Sequence, residues 1–220
     1  MWLKNNWIYG LLSISLILAL MALITSNFIY KSGTAGMGIL MLIILHFKEA
    51  NPSKDTWFII GAFLFSIAGD WFLSHMNGDM IMFSKGIALF FLAHIGYLMF
   101  AIMNGKINWK FTIFLLLIYL SFFFIILYPA INDKILMLAT LIYLLVSCLS
   151  LGAALGIKAE PVIKWTFVFG IFLILFSDTI ISLTEFLGYK AFDFLILPTY
   201  YLAHISITFS LIRKVTLTKN

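Results

Sequence analysis

Charge is what this sequence has least of. Only 10% of its 220 residues are Asp, Glu, Lys or Arg, 63% are hydrophobic, and the mean hydropathy is +1.09. A soluble globular domain carries roughly a quarter charged residues, so the chain lacks the polar surface to face water. Cysteine is almost missing. The single Cys148 sits in an apolar run, which excludes a disulfide scaffold and a cysteine-based zinc site. The net charge of +5 is spread along the chain without a block, so nucleic acid is not an expected partner. There is no Walker loop, Rossmann fingerprint, HExxH or GxSxG. No strand alternation competes with the apolar runs, so a membrane β-barrel is excluded. What is abundant is aromatic and aliphatic: 17% aromatic residues, with 23 Phe, suit lipid-facing helices.

A helix needs about 20 mostly apolar residues to cross a hydrocarbon core of roughly 30 Å. Eight runs meet or approach that length, near residues 7–25, 33–47, 56–73, 83–103, 109–128, 135–157, 162–186 and 194–212. The second is short and Gly-rich at its start. The expected fold is all-α, an integral membrane bundle of eight transmembrane helices forming one domain over residues 1–220. With eight spans, Lys4, Lys48, Lys54, Lys106, Lys110, Lys158, Lys164, Arg213, Lys214 and Lys219 fall on one side. Lys31, Lys85, Lys134 and Lys190 fall on the other. Basic loops stay in the cytoplasm, so both termini are expected to be cytoplasmic, in a bacterial cytoplasmic membrane. The first run has Ala19 and Ala22 at the spacing of a signal-peptidase site, but its length favours a retained span.

Seven of the nine acids lie in connections or at helix ends: Glu49, Asp55, Asp79, Asp133, Glu160, Glu185 and Asp193. Asp70 and Asp178 lie inside apolar runs. An ionisable residue there costs about 2.5–3.5 kcal/mol on insertion scales and usually faces the bundle interior for a functional reason. Asp70 is 15 residues beyond Asp55 and Asp178 is 14 beyond Lys164. Both therefore sit roughly 21 Å from the cytoplasmic edge. Each is followed by a span with an embedded histidine, His94 in FLAHIGY and His204 in YLAHISI. The Asp offset is 108 residues and the His offset 110, which contains four spans and so preserves orientation. This is the pattern of a parallel duplication of a four-helix unit, with approximate repeats 1–104 and 105–220. A pseudo-twofold axis along the membrane normal would then bring the two aspartates together.

Helical spacing supplies neighbours. Ser66 is four residues before Asp70, Ser177 adjoins Asp178, and Ser182 and Glu185 continue a polar stripe beyond it. Tyr97 follows His94 by three, and Tyr200 and Tyr201 precede His204 by four and three. Lys31, Ser84 and Lys85 fall at the outer ends of their spans, where they could meet a phosphate headgroup or simply snorkel to the interface. Gly152 and Gly156 suit a close-packing face. Trp2, Trp7, Trp57, Trp71, Trp109 and Trp165 suit interfacial anchors. Two carboxylates side by side in low dielectric cannot both ionise readily, so one can serve as acid and the other as base. The same residues could hold a metal or relay protons in a transporter. Residue chemistry by itself leaves enzyme and proton-coupled lipid or solute transporter both open.

The run from Gly69 to Tyr97 resembles the signature of the YhhN / lysoplasmalogenase family. Gly69 and Asp70 end one span, and Phe83, Gly86, Phe90, His94 and Tyr97 follow in the next. Ser177 and Asp178, with the tyrosines of the last span, resemble the family's second half. Family members usually open the second span with Lys-Pro, whereas here Lys31 is followed by Ser32. The resemblance implies an intramembrane hydrolase of the vinyl-ether bond of lysoplasmalogens. The lysophospholipid would be split into a fatty aldehyde and glycerophosphoethanolamine or glycerophosphocholine, with no cofactor or metal required. Asp70 and Asp178 would be the catalytic pair. His94, His204, Tyr97, Tyr200, Tyr201, Ser66 and Ser177 would support it, and Lys31, Ser84 and Lys85 would take the headgroup.

Overall fold

The computed structural model describes residues 6–25, 28–48 and 53–217, without the side chains of Asn6 and Trp7. Trp2, Lys4, Glu49, Lys219 and the Trp7 side chain thus lie outside the described residues. Among the described residues nine helices follow one another: α1 Asn6–Ile24, α2 Phe28–Lys31, α3 Gly33–Lys48, α4 Thr56–Ser74, α5 Met80–Met103, α6 Trp109–Phe122, α7 Lys134–Ala154, α8 Pro161–Leu187 and α9 Asp193–Leu217. A π-turn at Phe123–Leu127 and a 3-10 turn at Tyr128–Ala130 extend α6. Among the described residues the only strand-like pairing is a single bridge between Gly105 and Ile157.

Local chemistry sets the helix ends. Asp79 starts α5 by accepting from the Ile81 amide at 2.8 Å. Asp133 starts α7 by accepting from Ile135 and Leu136 at 2.7 and 2.9 Å. Pro161 opens α8 where its missing N–H costs nothing. Gly188 closes α8 in the left-handed conformation, φ 67°.

Among the described residues six helices are long and apolar enough to cross a membrane: Thr56–Ser74, Met80–Met103, Trp109–Ala130, Lys134–Ala154, Pro161–Leu187 and Asp193–Leu217. The first two predicted spans form shorter apolar helices, Ile8–Ile24 and Gly33–Lys48. Sixteen residues at 1.5 Å each reach about 24 Å, less than the hydrocarbon core. The short α2 lengthens this segment: the Ser32 amide donates to Phe28 O and the Gly36 amide to Ser32 O, each at 2.9 Å, carrying helical bonding from α2 into α3. A proline at position 32 could not make the first of these bonds.

α4 packs most extensively on α5, and α8 on α9. Both contacts depend on backbone approach. A Cβ on Gly96 would lie 2.6 Å from the Phe58 carbonyl oxygen, and one on Gly170 would lie 2.6 Å from Ile207. α7 leans on α5 as α3 leans on α9. Gly152 does sit at a close-packing face, against Thr112 of α6. Gly156 lies past the end of α7 and meets the Lys106 carbonyl of the α5–α6 connection instead. Trp57, Trp71, Trp109 and Trp165 are exposed on the outside of the bundle.

One end of the bundle is tied by a polar cluster. Asp55, just before α4, accepts hydrogen bonds from Ser53, from Lys214 of α9, and from Asn104 after α5 at 2.5 Å. Lys214 also donates to Asn104 Oδ1 at 2.8 Å and lies 5.0 Å above the Phe100 ring. Burial pushes the Asp55 carboxyl up. The hydrogen bonds from Lys214, Ser53 and Asn104, with the lysine's charge, outweigh it and hold the group below its ordinary value of 3.8.

Candidate functional site

At the opposite end, where α4 and α8 finish and α5 and α9 begin, a cavity of about 190 Å³ opens between the helices. Asp70 and Asp178 both line it, together with Lys31, Glu185, Ser177, Tyr200 and Tyr201. The two aspartates thus share one cavity, which they reach from α4 and α8. Leu73, Phe83, Phe90 and Leu197 supply apolar wall to the same cavity.

The two carboxylates are held differently. Asp178 Oδ2 accepts from the Tyr143 hydroxyl at 2.5 Å and meets His94 Nε2 at 3.2 Å. Asp70 Oδ2 accepts from the Tyr200 hydroxyl at 3.0 Å. The His94 ring stands edge-on to Tyr143 with centroids 5.2 Å apart, and Ser150 donates to the His94 carbonyl at 2.9 Å. Side chains from α5 and α7 therefore converge on the aspartate of α8, while Tyr200 of α9 reaches the aspartate of α4.

The remaining sequence candidates divide. Lys31, Ser177, Tyr200 and Tyr201 line the cavity. Ser177 donates to the Ile196 carbonyl at 3.1 Å, which ties α8 to α9 beside Asp178. Tyr97 and Ser66 stand behind the site, their hydroxyls 3.5 Å apart. His204 is fully buried between Phe63 and Tyr200, centroids 4.8 and 4.4 Å away. Neither of its ring nitrogens is in hydrogen-bonding geometry with another side chain, so it does not mirror His94. Ser84 donates to Met80 O and lines a neighbouring cavity with Asp133 and Glu185. The exposed Lys85 lies 5.6 Å over the Phe72 ring. Of the three headgroup candidates, only Lys31 is in the wall of the carboxylate cavity.

Spacing from the aspartates and histidines misses Tyr143, because α7 carries neither. The available signal is a polar stripe, Thr140, Tyr143 and Ser147, at i, i+3 and i+7 of an otherwise apolar helix. Asp178 and His94 are the two groups here with metal-ligating chemistry in mutual contact. Among the described residues no group of three or more His, Cys, Asp or Glu could hold an ion.

The fold and the cavity define a helical membrane protein with a paired-carboxylate pocket inside its bundle, a layout suited to proton transfer. The YhhN family model matches residues 30–211, and the chain belongs to that family. No curated protein and no solved structure gives a significant match.

Proposed function

We propose that the protein is an intramembrane hydrolase that cleaves the vinyl-ether bond of lysoplasmalogens. The observation that carries this reading is the shared cavity: two aspartates line one space whose wall also offers a lysine for a phosphate. Membership of the YhhN family supports the same class of reaction.

The chemistry needs an acid and a base and nothing else. Protonation of the β-carbon of R–CH=CH–O–R′ converts the vinyl ether to an oxocarbenium ion, and water adds to its α-carbon. Negative charge on Asp178 is met by two donors, Tyr143 and His94, and on Asp70 by one, Tyr200. Asp178 is accordingly the base and cation stabiliser, and Asp70 the acid. Asp70 gives its proton to carbon, and Asp178 takes one from the attacking water. The hemiacetal then collapses. Its hydroxyl proton returns to Asp70, the proton on Asp178 passes to the departing glycerol oxygen, and aldehyde and alcohol leave with both carboxyls restored. The sequence resembles carboxylate-pair glycoside hydrolysis, which passes through a similar cation.

The finer topology belongs to this proposal. Eight spans, both termini in the cytoplasm and a duplicated unit are supported by the ten-to-four basic asymmetry and by the continuation of α2 into α3. They are also supported by helix pairing: exchanging α3 with α7, α4 with α8 and α5 with α9 maps the principal contacts onto one another. The cavity then lies in the outer half of the membrane.

Purified protein in detergent should release fatty aldehyde from lysoplasmenylcholine or lysoplasmenylethanolamine. Asp70→Asn and Asp178→Asn should each abolish release while the protein remains folded. Near-normal turnover in both would sink the assignment. A proton-coupled carrier would release no aldehyde and would act only across two compartments.

A further inference from the structure

The carboxylate cavity is one of three that meet at Asp178. A second, about 50 Å³, lies between α5, α7 and α8; it shares Leu73, Phe83, Phe90 and Ile181 with the first. A third, about 40 Å³, lies between α6, α7 and α8; it shares Thr140, Tyr143 and Ser182 with the second and is closed by Tyr119, Phe122, Leu127, Leu144 and Leu175. Polarity falls along this series. Lys31 and Glu185 line the first cavity, whereas Asp178 is the only charged residue lining the second and third.

We infer that the second and third cavities form a lateral channel that receives the substrate's hydrocarbon chain and opens to the bilayer beside the π-turn of α6. This rests on the lysolipid hydrolase reading above. Three features carry it. First, the order of groups, cation then carboxylates then apolar walls, is the order of phosphate, ether and chain in a lysolipid. Second, Tyr119 and Phe122 lie 10 and 13 residues beyond Trp109, about 15–20 Å along the helix, which is the depth of the two aspartates. The channel therefore ends among lipid tails and not among headgroups. Third, this corner of the bundle is weakly closed. α6 packs on α7, and it reaches α8 through the π-turn and a 3.0 Å hydrogen bond between the Tyr119 and Thr179 hydroxyls. The outer face of α6 is bare apolar surface, with Phe114, Leu117 and Ile125 more than half exposed. π-turns interrupt regular helices most often at functional sites. The two cavities are small, so they enclose only the first carbons of the chain, and the remainder extends into the bilayer.

Two measurements test the channel. Leu144→Trp adds bulk to the third cavity at a residue that lines neither the carboxylate cavity nor the second one. For a hexadecenyl lysolipid its KM should rise about tenfold, whereas a substrate with a bare two-carbon vinyl ether should keep kcat and KM within twofold. Phe122→Ala widens the same space and should favour substrates branched near the ether. Equal losses for long and two-carbon substrates in folded Leu144→Trp, or no loss for either, would overturn the channel. The second measurement does not use activity. Wild-type protein in nanodiscs is photolabelled with lysophosphatidylcholine bearing a diazirine near the start of its chain. Labelling displaced by excess unlabelled lysolipid should map to Tyr119, Phe122, Leu144 or Leu175. Displaceable labelling confined to α1, α4 or α9 would refute the channel. Displaceable labelling at the expected residues in a protein that releases no aldehyde would uphold the channel and reject the reaction.

Discussion

Asp55 and Asp178 are both largely buried carboxylates with several donors, at opposite ends of the same bundle, yet they face different surroundings. Asp55 is 4% exposed and its donors include a lysine, so charge meets charge. Asp178 receives neutral or titratable donors and looks onto a cavity that it shares with a second carboxylate. The first arrangement closes the ends of α4, α5 and α9 upon one another. The second leaves carboxylate oxygens facing space that a reacting molecule can fill. A buried acid marks chemistry when its partners stop short of enclosing it.

The largest effect expected from breaking this contrast is on turnover. Asp178→Asn and Asp70→Asn should lower aldehyde release by about 10²–10⁴-fold, the usual worth of a proton-transfer group, with melting temperature nearly unchanged. Asp55→Asn should do the reverse, losing stability while the folded fraction keeps its activity. Next is Lys214→Met, which leaves the buried Asp55 without its counter-charge; denaturation should show a loss of about 3 kcal/mol. Tyr143→Phe and Tyr200→Phe sharpen the comparison between the two halves of the site. If Asp178 is the base, Tyr143→Phe should cost about tenfold in kcat, roughly one charge-assisted hydrogen bond. Tyr200→Phe should cost less. Equal effects would remove the grounds for assigning separate roles.

The smallest effect is on pH. The folded protein holds Asp55 below 3.8, so its contribution to stability is fully present above that value and is lost as pH falls through the lower folded value. The melting temperature should therefore drop in acid below about pH 4, and Asp55→Asn should flatten that drop.

Much of this was legible in the sequence because the membrane imposes strong rules. Apolar runs located every helix but the short α2 to within a few residues, and scarcity of charge isolated Asp70 and Asp178. Helical rise from Asp55 and Lys164 gave the two aspartates one expected level, and the structure has both lining one cavity. What escaped did so for identifiable reasons. Asp55 reads as an ordinary connection acid, because its partners Asn104 and Lys214 are 49 and 159 residues away. Tyr143 hides in a helix without acid or histidine. His94 and His204 look equivalent in sequence, yet only His94 reaches a carboxylate. A duplicated pattern fixes where a side chain starts and not which neighbour it meets.

The sequence by itself determined the solvent and the longer helices and singled out the two aspartates, since hydropathy and helical periodicity act residue by residue. Only the tertiary structure decided that α4 and α8 present those aspartates to one cavity, that Tyr143 and His94 converge on Asp178 while Tyr200 reaches Asp70, and that the space continues towards α6. Those outcomes depend on how the helices pack, and packing is a property of facing surfaces from distant parts of the chain.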